Sequence, residues 1–307
     1  MMRPLVLVPC SSSKTLAPQP GLRGRDLAKI DIHNWSQIWL DSVAQVDVRV
    51  QVEALYKGGG WAIAKKIHYK VGELGGSVGV VSAGLGLVTF SETAPGYDIT
   101  FTPGSVDSVP GSCTPEARSA WWSDLGGREK LMQLVKVVQP TVILTALPSA
   151  YLDAVALTLA ELSTMSDSMS ICVLTSGASS FAQAHLSEAL VQVNARKALD
   201  LGGSVGQILL STARFVVEHM TNEYNLGRSD IQQLIQQLPS RCGPLYPARA
   251  RQGADHLRMW LRAVCNSDNP PRSASDALRR YRDGGYAYAY KAFHNEYSLQ
   301  NSLESGK

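Results

Sequence analysis

Apolar positions along the chain follow two regimes. Short runs of aliphatic and β-branched residues, at 5–8, 78–81, 141–146 and 170–174, stand apart from longer stretches in which apolar residues recur every three or four positions. The runs predict buried strands, because an unbroken apolar run leaves no face for solvent. Helical spacing predicts helices over 35–56 in one or more segments, 61–74, 114–138 with a break at Gly126-Gly127, 152–162, 182–199 and 205–220. Strands alternating with helices give an α/β fold: a mostly parallel sheet with helices on both faces. Ligands bind such sheets beyond the carboxyl ends of the strands. That edge is expected to gather Cys10, Ser82, Ser149 and Ser176.

The pattern changes after Asn225-Leu226-Gly227. A short helix is expected over 229–238 with Ser229 as its N-cap, then a loop at 242–247 and a helix over 254–264 carrying Arg258 and Arg262 one turn apart. Ser273 caps a further helix, and the alternation Tyr286-Ala287-Tyr288-Ala289-Tyr290 suits a strand or wing. The expected division is an α/β domain over 1–221 and a smaller, mainly helical, winged-helix-like domain over 222–307.

Charge sharpens that division. The net charge is +3, yet residues 222–307 hold 12 Lys/Arg against 8 Asp/Glu, so the whole positive excess lies in the last third. A near-neutral body with a basic appendage points to a polyanionic partner. Arg258, Arg262, Arg279, Arg280 and Arg282, with Lys291 on the wing, are the expected nucleic-acid contacts. The rival reading of this segment is a helical cap on the sheet.

Composition removes other classes. The chain is 45% hydrophobic and 18% charged, which suits a globular protein. No apolar run approaches the roughly 20 residues of a membrane span, so a cytoplasmic protein without a membrane partner is expected. Five scattered cysteines without C-x-x-C indicate neither a disulfide framework nor a zinc ribbon, and no metal is expected.

The chemistry concentrates after the first strand, in Pro9-Cys10-Ser11-Ser12-Ser13-Lys14: a thiol, three hydroxyls and an ammonium in five residues. A thiol beside an ammonium is a candidate nucleophile, because a nearby positive charge favours the thiolate. The bland alternative is a Ser-rich turn around a small packed cysteine. The second strand runs into Ser82-Ala83-Gly84-Leu85-Gly86, whose glycines permit close backbone approach to a ligand. As a dinucleotide fingerprint it lacks the third glycine, so no cofactor is expected. Residues 89–115 read as a long loop, and it brings Tyr97 and Asp98 toward the same region.

Together, Pro9-Cys10-Ser11-x-x-Lys14, Arg25-Asp26-Leu27, Ser82-Ala83-Gly84-x-Gly86 and Tyr97-Asp98 resemble small α/β domains with a P-C-S-x-x-K loop. These include the P-C-S domain of the archaeosine synthases and related domains of bacterial and phage systems that place 7-deazaguanines in DNA. The resemblance covers about the first hundred residues. Where archaeosine synthases continue the loop with Lys-Pro-Tyr, this chain has Thr15-Leu16 after Lys14. The resemblance implies an enzyme of nitrile hydratase or amidotransferase type, converting the nitrile of a 7-cyano-7-deazaguanine in nucleic acid, DNA ahead of RNA, to an amide. It also implies partner proteins of a base-modification system. Cys10 would attack the nitrile carbon, Lys14 would lower the thiol pKa, and Asp98 would protonate the nitrogen. Ser11, Arg25, Asp26, Ser82, Gly84, Gly86 and Tyr97 would hold the base, with Tyr97 stacked on the heterocycle. Two readings stay open beside it: a non-catalytic nucleic-acid-binding or stress-response module, and a nucleoside glycosidic enzyme built around Asp98.

Overall fold

The computed structural model describes residues 3–30, 34–166, 168–195, 201–202, 204–221, 226–239, 249–271 and 273–305. Its centre is strand β1 (Pro4–Pro9), whose Leu5, Val6, Leu7 and Val8 are fully buried. A strand with no exposed side must be flanked and covered. β1 pairs in parallel with β3 (Ser77–Ser82) and with β6 (Val142–Thr145), so that Val6 lies opposite Val78 and Leu144. The full order is β4-β3-β1-β6-β7-β8, with β4 (Gly86–Thr89), β7 (Ser170–Thr175) and β8 (Leu190–Gln192) completing six strands. Only β4 is antiparallel, because it folds back from β3 through a tight turn in which Gly86 has φ +64°. Two further short strands, β2 (Val50–Gln51) and β5 (Thr93–Ala94), pair apart from this sheet.

Helices cover both faces. Helices α1 (Gly24–Leu27), α2 (Trp35–Ala44) and α3 (Val52–Leu55) lie in the first crossover, which ends in α4 (Gly59–Glu73). α4 packs on β1 and β3 and against α9 (Ile208–Glu218), which in turn packs on β7. On the other side α6 (Gly127–Val138) covers β3 and β4, and α7 (Ser149–Met165) covers β7 and packs against α5 (Pro115–Asp124) and α8 (Ser180–Leu186). Thr114 caps α5 by accepting the Ala117 N–H, and Pro115 opens it.

Two expectations about this region are corrected. The helix expected over 182–199 ends at Leu186, and Leu190–Gln192 pairs in parallel with β7 instead. Val191 and Val193 are buried around an exposed Gln192, a period of two that the sheet edge reads as strand. Residues 196–200 lie outside the described ones. The expected division at 221 also moves, because the compact units are Met1–Arg241 and Cys242–Lys307. Helix α10 (Arg228–Gln236) buries Ile231 and Ile235 and packs on β7 and β8, so it belongs to the sheet unit. Its N-cap is Gly227 rather than Ser229.

The second unit packs three helices, Ala254–Cys265, Ala274–Asp283 and Tyr290–Ser305, around Leu257, Leu261, Leu278, Tyr281 and Phe293. Ser273 caps the middle one by accepting the Asp276 N–H. Only Tyr286–Ala287 of the alternating tyrosine stretch forms a strand, and it pairs in parallel with Ala250–Arg251. A wing is an antiparallel hairpin; here the chain turns into helix at Tyr290. The alternation serves packing instead: Tyr286 stands edge-on to His256 and Tyr288 to Phe293. The loop expected at 242–247 lies outside the described residues, as does the Lys291 side chain, whose backbone is helical rather than on a wing. Among the described residues, no helix is long and apolar enough to cross a membrane.

Candidate functional site

The first strand delivers Cys10 to the carboxyl edge of the sheet, where its N–H continues the ladder by donating to the Val81 carbonyl at 3.0 Å. The loop that follows is folded onto the start of the α4 segment. Ser11 donates its hydroxyl to the Lys57 carbonyl at 2.8 Å, and the Lys57 N–H returns to Ser13. Thr15 donates its N–H to Leu55. These bonds turn Lys14 inward, so its Nζ donates to the Ser11 carbonyl at 3.2 Å and lies 4.2 Å from the centroid of the Tyr97 ring. Burial lowers the Lys14 pKa, opposed by the charges of Cys10 and Asp98. The half-buried thiol and the half-buried ammonium thus stand in one electrostatic neighbourhood.

Three phenols surround them. Tyr151, two residues into α7, brings its hydroxyl to 3.7 Å from Cys10 Sγ and 3.3 Å from Thr100 Oγ1. Tyr56 and Tyr97 share a hydrogen bond of 2.5 Å, and Tyr97 is also bonded to Ser82 at 2.6 Å. Burial raises the pKa of all three phenols, and negative charge at Cys10 raises it further. At neutral pH each keeps its hydrogen and is available as a donor.

Several residues expected to hold a substrate do structural work here. Ser82 is fully buried, and its oxygen accepts the N–H groups of Gly84 and Leu85 at 3.1 Å while bonding Tyr97. The Gly84 carbonyl accepts Trp39 Nε1 at 2.7 Å, and the Ala83 carbonyl accepts Trp121 Nε1 at 2.7 Å. A Cβ at Gly84 would stand 2.7 Å from the Tyr97 ring, and one at Gly86 would stand 2.8 Å from the Leu125 carbonyl. Both glycines therefore serve close packing of the chain on itself. Tyr97 is 1% exposed, with its edges against Trp39 and Tyr56, so its ring carries Lys14 and leaves no face for stacking on a base.

Asp98 is half-buried beside this cluster. Its backbone is held between Leu22 and Gly24 at 2.8 Å each. Its carboxyl is pushed up, first by burial and then by the neighbouring Asp107, with Lys14 and Arg25 pulling the other way. A carboxyl that keeps its proton longer suits an acid. Arg25 is committed to Asp107, donating from Nε at 2.8 Å and again from Nη2. Asp26 pairs with Lys29 at the surface. Ser149 opens α7 beside Tyr151, and Ser176 follows β7 at the same edge.

Sequence reasoning passed over Tyr151, Tyr56 and Thr100. Tyr151 carried a usable signal, since it follows the third predicted strand by a few residues just as Cys10 follows the first. Tyr56 and Thr100 carried none, because their placement depends on how separate loops fold together.

The other described cysteines contrast with Cys10. Cys172 is fully buried in β7 and its thiol is pushed up to about 12 by burial, while Cys113 is exposed in a loop. In the second unit Arg258 is paired with Glu296, and Arg279 and Arg280 with Asp276. Arg262 is exposed and has no ion-pair partner among the described residues. Arg249, Arg279 and Arg282 line one concavity with Ser275. No family model, curated protein or solved structure matches the chain.

Proposed function

We propose that the protein is a nucleic-acid base-modifying enzyme in which Cys10 converts a nitrile on a 7-deazaguanine to an amide. The observation that carries this reading is the setting of Cys10: half-buried at a strand end, against the Tyr151 hydroxyl and near the Lys14 ammonium. Lys14 favours the thiolate. Sulfur attacks the nitrile carbon, and the nitrile nitrogen takes a proton from Asp98, giving a thioimidate. Water then adds across the C=N bond, its hydroxyl to carbon and its other hydrogen to nitrogen; the C–S bond breaks, the thiolate departs, and the hydroxyl proton returns to the Asp98 carboxylate, leaving the amide. The balance is one nitrile and one water in, one amide out, with no cofactor consumed.

The second unit supplies the polymer contact in this proposal. Arg282 faces one concavity with Arg249, and exposed Arg262 adds charge to the same unit. Arg258, Arg279 and Arg280 contribute less, because their guanidinium groups are already held by carboxylates.

The test incubates purified protein with DNA and with RNA carrying the nitrile base, followed by digestion and mass spectrometry of the nucleosides. Conversion is expected for the wild type and for Cys172→Ala, and none for Cys10→Ala. Full conversion by Cys10→Ala would exclude the thioimidate route. No conversion by the wild type on either polymer, with salt-sensitive binding retained, would favour the binding-module reading. Binding is expected to weaken as salt rises and to fall in Arg249→Glu/Arg282→Glu.

A further inference from the structure

Tyr151 stands between two possible hydrogen-bond partners, and only one hydrogen is available to it. On one side is Cys10 Sγ at 3.7 Å; on the other is Thr100 Oγ1 at 3.3 Å. Thr100 spends its own hydroxyl hydrogen on Thr102 Oγ1 at 3.0 Å and accepts the Thr102 N–H at 3.1 Å. One lone pair on Thr100 remains, and it can take only a donor. While Cys10 is a thiol it has a hydrogen of its own to give the Tyr151 oxygen, which leaves the Tyr151 hydrogen for Thr100. Once Cys10 loses its proton, the sulfur becomes the stronger acceptor. The phenol is 8% exposed, so water competes little for that hydrogen.

We infer that Tyr151 is a positioning residue that holds the Cys10 thiolate by swinging its hydroxyl hydrogen from Thr100 to sulfur. The inference rests on the reading of Cys10 as the nucleophile and names the group that stabilises its reactive form. The other charged or titratable groups acting on Cys10 are the Lys14 ammonium and the phenols of Tyr56 and Tyr97. Of the phenols, Tyr151 is the one bonded to the sulfur. Lys14 supplies charge and Tyr151 supplies direction.

The experiment needs no nitrile substrate, so it separates this inference from the proposed reaction. The rate of Cys10 alkylation by iodoacetamide is followed against pH, with the site resolved by peptide mass mapping because exposed Cys113 also reacts. Tyr151→Phe is expected to slow alkylation at neutral pH by about tenfold, the effect of one donor lost to a charged group. Thr100→Val removes the competing acceptor and leaves the phenol in place, so it is expected to speed alkylation. That opposite sign distinguishes donation to sulfur from simple support of the loop. An unchanged Tyr151→Phe profile, or equal slowing in both variants, would overturn the inference. Should Tyr151→Phe fail to fold, the sign of the Thr100→Val effect alone decides. Should alkylation behave as expected while nitriles remain untouched, Tyr151 keeps its role and the substrate assignment falls.

Discussion

The Lys14 ammonium rests 4.2 Å above the ring of Tyr97. The hydroxyl of that ring is tied to Ser82 and Tyr56, so one buried side chain anchors the loop that carries Cys10 and Lys14 and the turn after β3 together. Tyr97→Phe keeps the ring but removes the buried hydroxyl that bonds both Tyr56 and Ser82, and a loss of about 1–3 kcal/mol is expected. Tyr97→Leu also removes the ring face under the ammonium, which is worth up to about 2 kcal/mol when desolvated. Urea unfolding of the two variants measures the difference. Equal losses would show that the ammonium–ring contact contributes nothing.

Gly84 and Gly72 make a matched pair. A Cβ at Gly84 would meet the Tyr97 ring and Ile99, whereas one at Gly72 on α4 would meet nothing within 4 Å. Gly84→Ala is expected to cost roughly 1–3 kcal/mol through overpacking. Gly72→Ala is expected to stabilise by about 0.5–1 kcal/mol, since alanine loses less entropy in a helix. Thermal unfolding should move the two midpoints in opposite directions.

The buried ion pair between Arg118 and Asp153 joins α5 to α7 at 2.8 Å, with side chains 7% and 2% exposed. Asp153 also accepts the hydroxyl of Ser179, the N-cap of α8. Asp153→Ala leaves the guanidinium charged and unpaired in the interior, and a loss of roughly 3–5 kcal/mol is expected. The double variant Asp153→Leu/Arg118→Met should recover part of it. A double variant no better than the single would locate the cost in lost packing rather than in the stranded charge.

Two neighbouring carboxylates are expected to bend the acid limb of stability in opposite senses. Arg25 holds the Asp107 carboxyl below its ordinary range, mainly through their hydrogen bond. That stabilisation is complete above the unfolded-state value and fades as pH falls through the folded one. Asp98 is raised, chiefly by burial, so the folded chain takes up its proton first and the fold gains relative stability as pH falls through that window. Urea midpoints measured from neutral pH downward should fall less steeply for Asp107→Asn and more steeply for Asp98→Asn. Identical slopes for both variants and the wild type would remove either group from the acid response.

The residue pattern alone carries the α/β class, four of the parallel strands and the edge at which Cys10 emerges. Those features are local: a fully apolar run has to be a buried strand, and proline and glycine mark where it stops. It also placed the break at Gly126-Gly127 and the Thr114 and Ser273 caps, because capping is settled within three or four residues. Tertiary structure alone decided which polar groups face one another. Ser82, Gly84, Gly86 and Tyr97 have the composition of a ligand loop, yet tryptophans from α2 and α5 turn them into packing, because hydrogen bonding and volume there are satisfied by distant segments. The last strand of the sheet escaped the helical reading of 182–199 for a related reason. A three-residue edge strand exists only through the ladder its neighbour offers. Tyr151 joined Cys10 on the same principle, since its distance from the thiol is set by the pairing of β1 with β6 and by nothing in its own sequence neighbourhood.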